Sequence, residues 1–93
     1  MPSSKSLLTT PLRAFILVTT KPGTSQEIVR SRRIKGVKIA NSVFGRYDAV
    51  VVVEAKDLEG LNRIVYEIIA QHPNVVHTET LVSMFHPATP ELP

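Results

Sequence analysis

Four consecutive valines, Val50 to Val53, constrain the fold of this chain more than any other feature. β-branched residues favour extended backbone, and successive residues of a strand point to opposite faces, so this strand is apolar on both faces. Ala49 and Ala55 flank the segment. A second apolar run, Ala14 to Val18, has the same character. Both runs predict strands at the centre of a sheet, where each face is covered.

A first helix is predicted after the first strand. Pro22-Gly23 is a turn signal, and Thr24 and Glu27 have the spacing of a capping box. Gly36 is positioned to end the helix. The stretch around its end is basic, with only Glu27 to balance Arg30, Arg32, Arg33, Lys35 and Lys38. Such a patch can bind nucleic acid or another acidic partner, although most patches of this size are solvated surface.

The remaining elements are two strands and a second helix. Residues 37–43 predict a strand with Val37, Ile39 and Val43 on one face, joined by a hairpin to the valine strand. Asp57 is a helix cap, and the apolar residues of one helix face follow it: Leu58, Leu61, Ile64, Val65, Ile68 and Ile69. Residues 75–85 predict a last strand, on which the side chains of even-numbered and odd-numbered residues point to opposite faces.

This order of elements predicts an α+β domain of the ferredoxin-like type, βαββαβ. We expect a four-stranded antiparallel sheet with both helices on one face. The open face is then apolar in the central strands, and soluble monomers seldom expose such a patch. Self-association through the open face is the simplest cover, so we expect at least a homodimer. The predicted domain spans residues 13–86, between a flexible N-terminal tail (1–12) and a proline-rich C-terminal tail (87–93).

Composition excludes several classes of function. The chain has 93 residues and no cysteine, so disulfides, thiolate metal sites and cysteine nucleophiles are impossible. No apolar run approaches the ~20 residues of a membrane span, and no secretory signal is evident, so we expect a cytoplasmic protein. His72, His77 and His86 lack a metal-ligand spacing, and phosphate-loop and hydrolase motifs are missing. We therefore expect a binding module with no metal and no cofactor, rather than an enzyme.

Two polar segments could bind a small molecule. The hairpin contains Gly45, which permits close approach of a ligand to main-chain N–H groups, followed by Tyr47 and Asp48. The same residues would also make a good turn. On the last strand, Thr78 and Thr80 present two hydroxyls on one face, although threonine is also a common strand residue. If the two segments meet in an assembly, they form a polar cleft suited to a metabolite.

Together these segments resemble the ligand-binding domain of the Lrp/AsnC regulator family, the RAM (regulation of amino acid metabolism) domain. The resemblance covers residues 13–86 and rests on three segments in order. Gly45-Arg46-Tyr47-Asp48 is similar to the family's Gly-x-Tyr-Asp loop. Residues 54–65 are similar to its strand exit and second helix, and Thr78-Glu79-Thr80-Leu81-Val82 is similar to its final strand.

The resemblance implies dimers that pack sheet to sheet and assemble further into octamers or decamers. It also implies that an amino acid or related small effector binds between dimers. The implied ligand site consists of loop and last-strand residues: Phe44, Gly45, Arg46, Tyr47, Asp48, Thr78 and Thr80. Asp48 and nearby backbone N–H groups would hold the zwitterionic end of the effector.

The sequence departs from the family pattern in two ways. DNA-binding members carry an N-terminal helix-turn-helix, whereas only residues 1–12 precede the predicted domain, so the chain resembles the stand-alone members. We expect no direct DNA binding and name a full-length Lrp/AsnC regulator as a candidate partner. Phe44 stands where many members have a small hydroxyl residue before the glycine. The change removes a polar contact, which favours an effector with an apolar side chain, or no effector.

Two other functions fit the same topology. An ACT-like amino-acid-binding domain would carry a glycine-rich ligand loop after the first strand, where Lys21-Pro22-Gly23-Thr24 is only a faint match. A small dimeric monooxygenase would need a pocket between helices and sheet, where aliphatic core is predicted here.

An RNA-recognition sheet would stack bases on aromatic side chains, and Phe15 is the only aromatic residue at the centre of a strand.

Overall fold

The computed structural model describes residues 11–83. The strands are β1 (Leu12–Thr20), β2 (Val37–Ser42), β3 (Ala49–Ala55) and β4 (Val75–Val82). A 3₁₀ helix (Ser25–Arg33) follows β1, and an α-helix, α1 (Leu58–Gln71), follows β3. The predicted C-terminal tail, most of the predicted N-terminal tail and the end of the predicted last strand lie outside the described residues.

The four strands form one antiparallel sheet in the order β2-β3-β1-β4, which confirms the predicted βαββαβ fold. The two apolar runs, β1 and β3, lie at its centre. Ile16 faces Val51 and both are fully buried against the helices, whereas Phe15 faces Val52 on the other side and is 40% exposed. The helical segments pack on one face only. The other, open face carries apolar side chains, as the valine run predicts.

The first helical segment is a 3₁₀ helix and not the α-helix that a capping box would start. Its two buried side chains, Ile28 and Ser31, and the buried Ile34 that follows the helix recur every third residue, which is the repeat of a 3₁₀ helix. The predicted capping box is wrong. The Thr24 hydroxyl donates to the Lys21 carbonyl (2.7 Å) and makes no cap bond. Glu27 instead accepts from the Asn74 amide (3.0 Å), across the domain.

A bulge in β2 places Val37 and Ile39 on opposite faces of the sheet, so the predicted common face is wrong. Val37 lies opposite Val53, and Ile39 lies opposite Val52, so the pairing passes over Lys38. The extra residue reverses the alternation. Val37 therefore packs against the core beneath the helices, whereas Ile39 points to the open face and is 46% exposed.

The α-helix α1 begins as the sequence predicts. Asp57 Oδ1 accepts a hydrogen bond from the Gly60 backbone N–H (2.8 Å), so Asp57 caps the helix. The buried stripe is narrower than predicted, because Leu61, Ile64 and Ile68 are buried but Leu58 and Ile69 are exposed. No helix among the described residues is long and apolar enough to cross a membrane.

A buried polar contact joins the two helical segments. Ser31 Oγ lies 2.9 Å from His72 Nε2, and both residues are buried. Burial lowers the pKa of His72 from its ordinary value; the neighbouring Glu27 opposes this shift and Arg30 adds to it. The folded state therefore favours the neutral imidazole.

Candidate functional site

The loop between β2 and β3 is closed at its base and open at its tip. The Val43 N–H donates to the Asp48 carbonyl (3.0 Å), which joins the two ends of the loop. Gly45 has a φ of +126°, a conformation that L side chains rarely adopt. Phe44 is fully exposed. Within the described residues, the backbone N–H groups of residues 44–47 donate no hydrogen bond. The tip thus presents consecutive donors to solvent.

Asp48 fixes the loop to the central strand β1. Its N–H donates to the Val18 carbonyl (2.8 Å), and its Oδ2 accepts from the Thr20 N–H (2.8 Å). The β1–β3 ladder ends where Val18 faces Ala49. The carboxylate therefore takes the place of the next strand residue and satisfies a donor that the shortened ladder leaves unpaired. Asp48 is therefore first a structural acceptor, and its second carboxylate oxygen accepts no hydrogen bond from any described residue.

Tyr47 links the same loop to the edge strand β4. Its hydroxyl donates a hydrogen bond to Glu79 Oε1. This bond, with burial and the negative charge of Glu79, raises the pKa of Tyr47 above its ordinary value, and Arg46 opposes the shift. Glu79 faces Leu17 across the sheet, so its side chain lies on the open face.

The sequence pattern points to the threonines that flank Glu79 as ligand residues, rather than to Glu79 itself. Alternation along β4 was available as a signal, because it places residue 79 opposite in direction to residues 78 and 80. The partner of Glu79 could not be identified from the sequence, because Tyr47 lies 32 residues away along the chain. Glu79 adds a second carboxylate to the loop end of the sheet.

Thr78 and Thr80 lie on the other face of the sheet. Thr78 faces Val18 and Thr80 faces Ile16, both of which are buried on the helix side. Thr78 is half-buried and Thr80 is exposed. Thr78 is at the same end of the sheet as the loop, since Val18 lies between it and Ala49. Two strand spacings separate those backbones, about 10 Å. Within one chain, the sheet stands between the threonine hydroxyls and the Tyr47–Glu79 contact.

The open face forms one apolar patch with polar ends. Its members are Phe15 and Leu17 on β1, Ile39 on β2, Val50 and Val52 on β3, and Leu81 on β4. Phe15, Ile39 and Leu81 are each at least 40% exposed. An Arg13–Glu54 ion pair (2.8 Å) closes one end of the patch, and the Tyr47–Glu79 bond closes the other. An apolar centre with a polar rim is typical of a protein–protein contact surface.

The fold is that of a small α+β domain with the ferredoxin-like order of elements, and comparison with known proteins names the family. Residues 13–90 match the Lrp/AsnC ligand binding domain, and the chain belongs to that family. Among solved structures it is similar to hypothetical protein PHS023 from Pyrococcus horikoshii, at 32% identity and a TM-score of 0.71, over 81% of this chain and 92% of that one. No curated protein matches the chain.

Two further structures show the range of the similarity. The protein TTHA0845 from Thermus thermophilus is 29% identical with a TM-score of 0.75, over 84% of this chain and 99% of that one. The feast or famine regulatory protein Rv3291c from M. tuberculosis, complexed with L-methionine, is 18% identical with a TM-score of 0.66. That match covers 96% of this chain and 60% of Rv3291c, and it shows the shared fold.

Proposed function

We propose that the chain is an effector-binding and oligomerisation module of the Lrp/AsnC type, active in the cytoplasm. It binds an amino acid or a related small metabolite at an interface between protomers and modulates transcription through a partner such as a full-length regulator. Family membership over residues 13–90 supports a regulatory ligand-binding role. The solved complex of Rv3291c with L-methionine supports an amino acid as the ligand class.

The observation that carries the proposal is the chemistry of the loop tip. Within the part of the chain that the structure describes, the N–H groups of residues 44–47 donate no hydrogen bond, and they directly precede Asp48, whose Oδ1 accepts none. Main-chain donors suit the carboxylate of an amino acid, and a carboxylate suits its ammonium group. Phe44 adds an exposed ring at the same tip, which favours an apolar effector side chain.

The two faces of the sheet explain why the site would need more than one protomer. Tyr47 contacts Glu79 on the open face, whereas Thr78 and Thr80 are on the helix side. A small ligand that touches the loop and the threonine hydroxyls of a single chain would have to reach around the edge strand. If the loop comes from one protomer and the threonines from another, one small ligand can touch both. This arrangement agrees with a site between dimers.

The ligand is identified by thermal melting with each of the twenty amino acids at millimolar concentration. A ligand at 100 times its dissociation constant stabilises the folded state by about 2.7 kcal/mol, a shift of at least several degrees. We expect one or a few amino acids to raise the melting temperature and Thr80→Ala to remove the shift. If no amino acid raises it, the sensing function is wrong.

Assembly through the open face is tested separately with a matched pair of substitutions. Leu81→Lys places a charge within the patch, where Leu81 is 47% exposed. Leu58→Lys makes the same change at the start of α1, where the side chain is 59% exposed. Light scattering should give a reduced mass for Leu81→Lys and an unchanged oligomer for Leu58→Lys. A wild-type monomer at micromolar concentration, or an unchanged mass for Leu81→Lys, would contradict dimerisation through this face.

A further inference from the structure

A concave groove lies at the end of the sheet opposite to the β2–β3 loop. It has a volume of about 540 Å³ and is formed where β3 ends, between the start of β2 and the exposed side of α1. Gly36 lets these elements approach closely, because a Cβ there would lie 2.6 Å from Ile64 Cδ1 and 2.9 Å from the Glu54 carbonyl oxygen. Ala55 and Ile64 contribute the apolar part of its lining.

The lining of the groove carries an excess of positive charge. Four cations line it: Lys35, Lys38, Lys56 and Arg63. Two carboxylates also line it, but both have other partners. Glu54 is paired with Arg13 at 2.8 Å, and Glu67 accepts from the Gln71 amide at 3.3 Å. The charge of Glu54 is thereby neutralised by Arg13, which lies at the open face.

Three of these cations are uncompensated. Within the described residues, the side chains of Lys35, Lys38 and Lys56 make no hydrogen bond or ion pair, and all three are exposed. Arg63 has a weak surface pair with Glu59 at 3.3 Å. Lys38 is the bulge residue that the β2–β3 pairing passes over. Lys56 follows the last residue of β3 directly. Residues far apart in the sequence thus bring like charges to one concavity, which costs energy unless an anion is bound.

We propose that this groove binds a small molecule that carries two or more phosphate groups. The volume falls within the ~300–1,000 Å³ of small-molecule sites. Lysine ammonium groups are common phosphate ligands, and three unpaired lysines match a polyphosphate better than a single carboxylate. A nucleic acid offers the same chemistry, but a double helix requires an extended surface rather than a groove of this size.

The groove is independent of the proposed effector site. Asp48 precedes β3 and Lys56 follows it, so eight residue steps of about 3.3 Å place the two ends roughly 26 Å apart. One small ligand cannot occupy both. The groove also gives a role to Lys35 and Lys38, the end of the basic stretch that the sequence left unassigned. Arg30, Arg32 and Arg33 do not line it.

Isothermal titration with pyrophosphate and with ATP, in 0.15 M salt without divalent cations, tests the proposal. We expect saturable binding near one ligand per chain, weakened by added salt. Lys38→Gln/Lys56→Gln should weaken binding about 100-fold, since each charge-assisted contact contributes about tenfold or more. Lys21→Gln/Arg33→Gln removes the same charge outside the groove and should leave affinity within about threefold.

Several outcomes would overturn the proposal. These are no saturable binding of either phosphate compound at 10 mM, equal weakening by both double variants, or binding of a 20-base-pair DNA duplex without binding of pyrophosphate or ATP. All four substituted side chains are exposed, so both double variants should melt close to the wild type. The melting shift caused by an amino acid should be unchanged in Lys38→Gln/Lys56→Gln, which separates this groove from the effector site.

Discussion

Replacing Asp48 should destabilise the fold before any ligand is considered. Its Oδ2 accepts the Thr20 N–H at 2.8 Å where the β1–β3 ladder has ended. A hydrogen bond to a charged group contributes about 1.5–3 kcal/mol, and the site is half-buried, so water can replace part of it. We expect Asp48→Ala to reduce the free energy of unfolding by about 1.5 kcal/mol. In a domain of this size, that lowers the melting temperature by about 6–12 °C.

Asp48→Asn separates the hydrogen bond from the charge. The Asn carbonyl oxygen can still accept the Thr20 N–H, so the loss should be about half that of Asp48→Ala. Glu59→Ala is the control, since it removes an acidic side chain from an exposed pair on α1 and should cost less than about 0.5 kcal/mol.

Urea unfolding at one fixed protein concentration gives the three free energies, with unchanged slopes expected. If Asp48→Ala is as stable as Glu59→Ala, the carboxylate does not extend the ladder and the reasoning is refuted. The effect also matters for binding assays, because loss of a ligand shift in Asp48→Ala could reflect a damaged loop. Asp48→Asn is the better probe of the effector's ammonium contact.

Two further predictions concern the core. Burial lowers the pKa of His72 in the folded chain below its ordinary value of 6.5. As the pH falls through 6.5, His72 is therefore protonated more readily in the unfolded chain than in the folded chain. The free energy of unfolding should therefore fall as the pH is lowered from 7 to 5.5. In urea titrations, His72→Gln should make this fall smaller. The same dependence on pH in wild type and His72→Gln would contradict a buried neutral imidazole. Gly36→Ala should destabilise by about 2–4 kcal/mol, because it combines a φ of +98° with a Cβ 2.6 Å from Ile64. Gly23→Ala, at a φ of +80° with open space around it, should cost only about 1 kcal/mol in the same assay.

The order of elements and the identity of the central strands could be predicted because they depend on local patterns. Four valines in succession predict a strand that is apolar on both faces, and β3 is that strand, with one face buried under the helices and the other half-buried on the open face. The Asp57 cap is equally local, since a carboxylate three residues before an N–H needs no distant partner.

The features that sequence reasoning missed depend on distant partners. Glu27 has the spacing of a capping box, but Asn74, 47 residues away, takes its side chain. The bulge at Lys38 is imposed by the register with β3, which places Val37 and Ile39 on opposite faces despite their spacing. The three-residue repeat of the 3₁₀ helix was hidden for the same reason, because its middle position is the polar Ser31, whose buried partner His72 lies 41 residues away.

The arrangement of the open face would connect the proposed effector binding to the proposed assembly. The Tyr47–Glu79 bond fixes the β2–β3 loop, where we propose that the effector binds, and it is also one polar end of the apolar patch. An effector that binds the N–H groups of residues 44–47 acts directly beside that bond. If the loop conformation that binds the effector also completes the rim of the patch, the effector strengthens the protomer contact. By linkage, the contact then strengthens effector binding by the same factor. The oligomeric state would thereby depend on a metabolite without a separate hinge or lid, since Tyr47 and Glu79 lie at the border of both the loop site and the interface.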